Sequence, residues 1–290
     1  MDAMRELTLQ EKLLWIFRIA VAAEFIGHGA FGIITKAAWV PYFGVVGISE
    51  PLAYKLMPLI GMVDVTLGIL TLLCPLRAVL LYMSVWGLWT ASLRPLSGDS
   101  IWEAVERAGN YGVPFAFLLL SGWGKSFKDW FSPIELHALR PAKMTKIALV
   151  LRLATGLLLF GHGALIVLAH KQALAGQLAV LGAGSASLQP SLVAQYAGGL
   201  EMLLAALVCV RPLPRLLLFV ALWKIAVELI YPLTGAPVWE FIERGGSYVA
   251  PLALYLIESS RLVPATIQSR GRSKPVTPAV RRITPLPVGR

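Results

Sequence analysis

Two histidine–acid pairs lie within long apolar stretches of the sequence. His28 and Asp64 form the first pair, and His162 and Glu201 form the second. His28 comes seven residues before Thr35, where its stretch ends, or roughly 10 Å along a helix. An ionisable group in hydrocarbon needs a partner, and a histidine beside a carboxylate suits proton transfer. We therefore predict that these four residues are catalytic. The alternative is that the histidines are only polar contacts between helices.

Further polar residues are expected around the two pairs. Trp86 and Trp223 approach the same depth from the opposite direction, and Lys224 and Glu228 form an i,i+4 pair. Each half also carries a Trp-Glu-x-x-Glu-Arg segment, which we interpret mainly as a structural cover over an outward-facing pocket. Binding of an anionic group by this segment is the alternative. The predicted ligand-binding residues are Trp86, Trp223, Lys224, Glu228, Glu106, Arg107, Glu243 and Arg244. No metal site is predicted.

The elements that must position these residues are membrane helices. Hydrophobic residues make up 57% of the chain, charged residues only 14%, and the mean hydropathy is +0.70, outside the range of soluble domains. Helices satisfy their own backbone hydrogen bonds in lipid, as an open sheet does not. We predict an all-α integral membrane protein with about eight spans, the fourth and eighth beginning somewhat before their apolar cores. The apolar cores are residues 13–35, 56–74, 78–93, 111–123, 147–169, 192–210, 216–231 and 248–259.

The chain contains an internal repeat. Residues 86–114 match residues 223–251 at an offset of 137, with 11 of 29 positions identical, and the same offset pairs Asp64 with Glu201. An offset of 134 pairs His28 with His162. The copies differ at Glu24, which pairs with Leu158. An even number of spans per copy predicts two parallel four-helix repeats, related by a pseudo-twofold axis along the membrane normal.

Charge sets the expected domain organisation and orientation. With both termini inside, 17 basic residues lie on the inner side and 6 on the outer side, so the positive-inside rule favours cytoplasmic termini. We divide the chain into a cytoplasmic N-terminus (1–11), a first half (12–123), a cytoplasmic linker (124–145), a second half (146–259) and a basic, disordered cytoplasmic tail (260–290). The basic residues do not form one polar face, so the partner is the lipid bilayer and not nucleic acid.

The repeated motifs resemble a known family. Residues 152–164 (RLATGLLLFGHGA), followed by residues 198–208 (GGLEMLLAALV), are similar to the DoxX family of four-span bacterial membrane proteins. Arg18, His28, Gly29 and Asp64 match its pattern in the first half, as do Arg152, His162, Gly163 and Glu201 in the second. The resemblance implies a tandem duplication of the family unit and a location in the bacterial inner (plasma) membrane. It also implies a link to redox or sulfur metabolism, because the family takes its name from a membrane thiosulfate:quinone oxidoreductase.

Together these features favour a membrane subunit of a redox or respiratory system, with a quinone as the candidate cofactor. The sequence has no Rossmann fingerprint, P-loop, nucleophile elbow or CxxC motif, so we expect a protein partner, on the outer face or in the membrane, to supply electrons. The alternatives are a small-molecule or ion transporter and a non-catalytic scaffold subunit. A haem b ligated by both His28 and His162 is a less favoured possibility.

Overall fold

The computed structural model describes residues 7–135, 140–182 and 189–262, and these residues form helices connected by short segments. Residues 263–290 of the expected cytoplasmic tail (260–290) and residues 1–6 of the expected N-terminus (1–11) lie outside the described residues. The first half contains α1 (Leu9–Ile33), α2 (Val40–Val45), α3 (Glu50–Leu73), α4 (Arg77–Leu96), α5 (Ile101–Glu106) and α6 (Ala108–Ser121). The linker contains α7 (Phe127–Trp130). The second half contains α8 (Pro141–Val167), α9 (Ala173–Val180), α10 (Pro190–Val210), α11 (Pro214–Leu233), α12 (Trp239–Glu243) and α13 (Gly245–Leu262).

Among the described residues, five helices are long and apolar enough to cross a membrane, namely α1, α3, α8, α10 and α11. The other three expected spans correspond to α4, α6 and α13, which have 20, 14 and 18 residues. The helices at the expected positions of the fourth and eighth spans begin before their apolar cores, as predicted, since α6 begins at Ala108 and α13 at Gly245. The all-helical prediction is therefore confirmed for the described part of the chain, which is consistent with a membrane protein.

Local sequence explains where several of these helices begin. Pro141, Pro190 and Pro214 are the first residues of α8, α10 and α11. Proline suits this position because its fixed φ matches the helix and its missing N–H would have no intrahelical partner there. Thr8 caps α1 in a reciprocal capping box with Glu11. These signals fix the starts of the long helices before any tertiary packing is considered.

The helices of the two halves share one core. Helices α1 and α8 are the most buried of the five long helices, and α6 and α13 pack against both of them. Phe17, Phe117, Leu151 and Leu254, from these four helices, are fully buried in the same cluster. Helix α3 packs on the outside of α1, and α10 packs on the outside of α8. The central layer is therefore built from both halves.

The short helices α5 and α12 pack across the boundary between the halves. Helix α5 lies against α8, and α12 lies against α1. Both contacts require glycine, because a Cβ on Gly27 would overlap the backbone of Glu243 and a Cβ on Gly161 would overlap the backbone of Glu106. These glycines directly precede His28 and His162, so each short helix lies beside the histidine of the other half.

The outward faces of the peripheral helices are apolar. On α3, Leu59, Met62 and Val63 are each about half exposed, and Leu203 on α10 is exposed to a similar degree. A soluble monomer rarely exposes apolar side chains in continuous helical faces of this kind. Lipid contact explains them.

Candidate functional site

The first-half histidine and its carboxylate are in direct contact. Nδ1 of His28 lies 2.9 Å from Oδ2 of Asp64, and the Asp64 side chain is completely buried. A carboxylate only accepts hydrogen bonds, so this contact places the imidazole proton on Nδ1 and leaves Nε2 available to a ligand. The ring of Trp39 stacks on His28 with centroids 4.5 Å apart. The predicted pairing of His28 with Asp64 is confirmed.

His28 lines a cavity of about 180 Å³ in the first half. Its walls are mainly aromatic and aliphatic, and its polar side chains come from α1, α2, α4, α6, α12 and the junction between α5 and α6. The apolar wall is formed by Phe25, Trp39, Phe43, Val46, Ile48, Met57, Ile60, Trp86, Trp89 and Leu93. The polar lining is formed by Glu24, His28, Tyr42, Thr90, Arg94, Arg107, Asn110 and Glu243. An apolar cavity with a few convergent polar groups is the usual form of a small-molecule site.

The segment between α1 and α3 closes one side of this cavity. Trp39 ends a short 3-10 turn and Tyr42 lies in α2. The Tyr42 hydroxyl donates to Asp99 at 3.0 Å and accepts from Arg94 at 2.9 Å, which holds α2 against the end of α4. The aromatic wall is therefore held in place by polar contacts on its outer side.

Three residues that line the cavity have polar atoms with no hydrogen-bond partner in the described part of the chain. The atoms are Oε2 of Glu24, Nε1 of Trp86 and Nε of Arg94. Leaving a buried polar atom unpaired costs roughly 1–3 kcal/mol, so native proteins pair almost all of them. The three atoms have almost no accessible surface, so they lie behind the cavity wall and not on it.

The second-half pair is also in contact, but its surroundings are different. Nδ1 of His162 hydrogen-bonds Oε2 of Glu201, and the indole N–H of Trp223 donates to Oε1 of Glu201 at 2.9 Å. Nζ of Lys224 lies 3.6 Å from Glu201 and 3.0 Å from Glu228. Lys224 and Glu228 are each only 1% exposed. The second carboxylate is therefore saturated by protein partners, as the first is not.

The cavity beside His162 is correspondingly small, about 20 Å³. At the repeat positions of Lys224 and Glu228, the first half has Gly87 and Ala91. Gly87 lines the first-half cavity of about 180 Å³, which is called the large cavity below. The first half has small side chains at these two positions and an open cavity. The second half has large side chains there and a nearly filled cavity.

The charged residues of the Trp-Glu-x-x-Glu-Arg segments lie between the halves. The sequence predicts a cover over each pocket, but Glu103, Glu106 and Glu243 are buried. Nη1 of Arg244 donates to Glu106 at 2.8 Å, which joins the second half to the first. Burial raises the pKa of Glu106, but the guanidinium groups of Arg107 and Arg244 outweigh burial and hold it well below its usual value. The segment is thus an ionised contact across the boundary.

Two lysines extend this contact. Lys36, just after α1, donates to Glu240 of the second half at 2.7 Å. Lys171, just after α8, donates to Glu103 of the first half. Each lysine therefore follows the first helix of one half and pairs with the Trp-Glu segment of the other.

The predicted ligand-binding residues consequently fall into separate groups. Trp86, Arg107 and Glu243 line the large cavity, and Glu106 lines the small one. The other four, which are Trp223, Lys224, Glu228 and Arg244, belong to the buried charged cluster. His28 and His162 line different cavities, so a haem held between them does not fit this arrangement.

Sequence reasoning did not assign several residues of the large cavity. Trp39, Tyr42 and Asn110 do not belong to a repeating pattern of apolar residues. Arg94 is a charged residue like those commonly found in loops, so its type alone did not indicate a site. One signal was available, because Glu24 precedes His28 by one helical turn and the second half has no counterpart.

Comparison of the chain with protein-family models, curated proteins and solved structures found no significant match. The fold is all-helical and membrane-compatible in the described part of the chain, and its first half contains an apolar cavity lined by His28.

Proposed function

We propose that the chain is an integral membrane protein of eight spans, built as two parallel four-helix repeats of the DoxX type. Corresponding contacts in the two halves support this proposal. Gly27 packs closely against the backbone of Glu243, and Gly161 packs closely against the backbone of Glu106. Gly109 and Gly246, which the repeat pairs at an offset of 137, touch each other, as residues at a twofold axis do. The short spans α4, α6 and α13 then complete the two four-helix units.

In the proposed orientation both termini face the cytoplasm of a bacterial cell and the chain lies in the inner membrane. The distribution of basic residues supports this orientation. The large cavity then lies towards the outer side, below the segment that contains α2. A lipid-soluble ligand reaches it from the membrane, and a redox partner reaches it from the outer face.

The function we propose is binding of a quinone-type ring in the first-half cavity, as part of a membrane redox system. The observation that carries the proposal is the cavity of about 180 Å³ in which His28, backed by Asp64, meets an aromatic wall. Aromatic side chains offer a planar ring stacking surfaces, and Nε2 of the imidazole accepts a hydrogen bond from a hydroxyl of the reduced ring. The His28–Asp64 pair would exchange, one at a time, the two protons that accompany two-electron oxidation or reduction of the ring, and a partner protein would exchange the two electrons.

Ligand binding to the protein in lipid nanodiscs tests this function. Trp39, Trp86 and Trp89 line the cavity, so a short-tailed benzoquinone should quench tryptophan fluorescence saturably, with one site per chain. Replacement of His28 by Asn should raise the Kd of the reduced probe, measured anaerobically, about tenfold, because loss of the hydrogen bond between Nε2 and the ring hydroxyl costs about 1.4 kcal/mol.

The second half provides the matched control. His162→Asn changes the same residue type beside the small cavity, and it should leave the Kd within about twofold of the wild-type value. Size-exclusion profiles of both variants establish that they remain folded. Equal loss of binding in the two variants, or no saturable binding by the wild-type protein, would contradict the proposed site.

A further inference from the structure

An apolar groove on the outside of the first half is separate from the large cavity. It lies between α4 and α8, and α6, which packs against both helices, forms its floor. Its free volume is about 350 Å³. Val85 and Leu88 on α4 and Leu153 on α8 line the groove and are each more than half exposed. The groove and the large cavity share no residue, so a ligand in one does not occupy the other.

Small residues at the floor explain why the groove is open. Gly112 on α6 has no side chain, and a Cβ there would lie only 2.7 Å from the Cβ of Ala154 on α8. The two helices therefore approach closely at the floor, while longer side chains stand on the rims. The repeat pairs Gly112 with Val249, which is buried. The second half thus has a branched side chain at the position where the first half has none.

The lining of the groove determines which kind of molecule can fill it. The lining is almost entirely hydrocarbon, so water finds few polar partners there. An empty groove would lose dispersion contacts along its whole length. A flexible acyl chain of a lipid restores those contacts when α4 and α8 lie in a membrane. A lipid tail is as apolar as leucine, however, so the groove alone does not distinguish one lipid from another.

Two lysines at one end of the groove provide that distinction. Lys146 on α8 precedes Val150, which lines the groove, by one helical turn, so both side chains lie on the same face. Lys146 is exposed, and its ammonium has no ion pair or hydrogen bond with any residue of the described ranges. Nζ of Lys143, one turn earlier, donates to the carbonyl oxygen of Leu120 on α6 at 2.9 Å. A carbonyl carries no formal charge, so both lysines can still attract an anion.

We propose that the groove binds one acyl chain of an anionic phospholipid, whose phosphate lies beside Lys143 and Lys146. Charge carries this choice of ligand, because each lysine near the membrane surface raises the affinity for an anionic lipid about fivefold. In the proposed orientation both lysines face the cytoplasmic leaflet. The proposal does not depend on the quinone site. It requires only that α4, α6 and α8 lie in the membrane.

Native mass spectrometry of the full chain in detergent tests the proposal by measuring the Kd of the first bound lipid. The probes are phosphatidylglycerol, which is anionic, and phosphatidylcholine with the same acyl chains, which has no net charge. The wild-type protein should bind phosphatidylglycerol about fivefold or more tightly than phosphatidylcholine. Lys146→Ala should weaken phosphatidylglycerol binding about fivefold and leave phosphatidylcholine binding within about twofold. Equal wild-type affinities for the two lipids would overturn the proposal.

Lys12→Ala is the matched control for charge. The repeat pairs Lys12 with Lys146, and Lys12 is also exposed, but the second half has Leu9 at the position of Lys143. Lys12→Ala should therefore leave both affinities within about twofold of the wild-type values. Equal losses in Lys12→Ala and Lys146→Ala would indicate a general attraction of anionic lipid to the basic surface, and would refute a specific site.

A second pair of variants tests the position of the acyl chain. Leu157→Trp places a larger side chain in the groove, so it should weaken binding of both lipids about fivefold or more. Leu149→Trp changes an exposed leucine of α8 that does not line the groove, and it should alter neither affinity by more than about twofold. Unchanged lipid binding by Leu157→Trp would overturn the proposal and favour a helix of a partner protein as the occupant. The benzoquinone titration remains a separate test of the proposed function, because the large cavity lies elsewhere.

Discussion

At the scale of single residues, the two halves differ most at one position. Lys224 fills the space beside Glu201, whereas the first half has Gly87 and an open cavity. A buried lysine is tolerated only where carboxylates pair with it, and Glu201 and Glu228 do so. The first half thus has a cavity at the place where the second half has an ion cluster. The proposed function accordingly uses one ligand site per chain.

Removing the charge of Lys224 should destabilise the fold strongly. Lys224→Met keeps most of the side-chain volume but leaves Glu228 without the lysine ammonium 3.0 Å away, which should lower the free energy of unfolding by about 3–5 kcal/mol. Denaturant unfolding in detergent, followed by tryptophan fluorescence, measures the loss. Lys224→Met combined with Glu228→Gln should regain part of it. A double variant less stable than Lys224→Met alone would show that the pair is not the source of the effect.

The sequence was sufficient to predict the two histidine–acid pairs but not the cavity. The residues of each pair have similar estimated depths on consecutive helices. This predicted the contacts of His28 with Asp64 and of His162 with Glu201, because buried ionisable groups must find partners. Trp39 lies in the segment between α1 and α3, and Arg94 lies near the end of α4. The spacing of apolar residues does not predict that either side chain lines the cavity. The volume left by Gly87 depends on helix packing, which a sequence does not contain.

At the scale of elements, the short helices α5 and α12 hold the halves together. Each lies against the first helix of the other half, at a glycine that precedes the histidine. The helices themselves follow from local signals, such as Pro141 at the start of α8 and the cap of α1 at Thr8. The crossing of α5 and α12 does not, because both sides of the contact are far apart in sequence. The Trp-Glu-x-x-Glu-Arg repeat indicated two equivalent segments without indicating their partners.

Gly161 should tolerate no side chain. A Cβ there overlaps the backbone of Glu106, and backbone on both sides has to move, so Gly161→Ala should cost about 1–3 kcal/mol of stability. Gly199→Ala is the matched control, because it lies in α10 with open space around the added Cβ. Replacing a helical glycine by alanine there should stabilise the protein by about 0.5–1 kcal/mol. Thermal unfolding in detergent compares the two, and equal shifts would refute the close contact.

At the scale of the whole molecule, the halves form one structural unit. Helices α1, α6, α8 and α13 share a single hydrophobic cluster, and its residues come from both halves. Arg244 with Glu106, and Lys36 with Glu240, add ion pairs across the boundary. Separation of the halves would expose apolar core together with buried charges, and neither is stable without its partner. The large cavity also includes Arg107 from the first half and Glu243 from the second.

Neither half should therefore be a stable monomer by itself. Chains ending at residue 135 or beginning at residue 140 each lose the partner of their central helices, so each expressed alone should aggregate or be degraded. Co-expression should restore a complex that copurifies in detergent, because the contacts between the halves do not require a continuous linker. Binding of the benzoquinone probe should return only in the complex, since the cavity needs Glu243 beside His28.

The matched control is the co-expressed pair carrying Arg244→Ala, which removes the 2.8 Å contact with Glu106 and should copurify less. A first half that runs as a folded monomer and binds the probe alone would show that the contact between the halves is not needed to build the site.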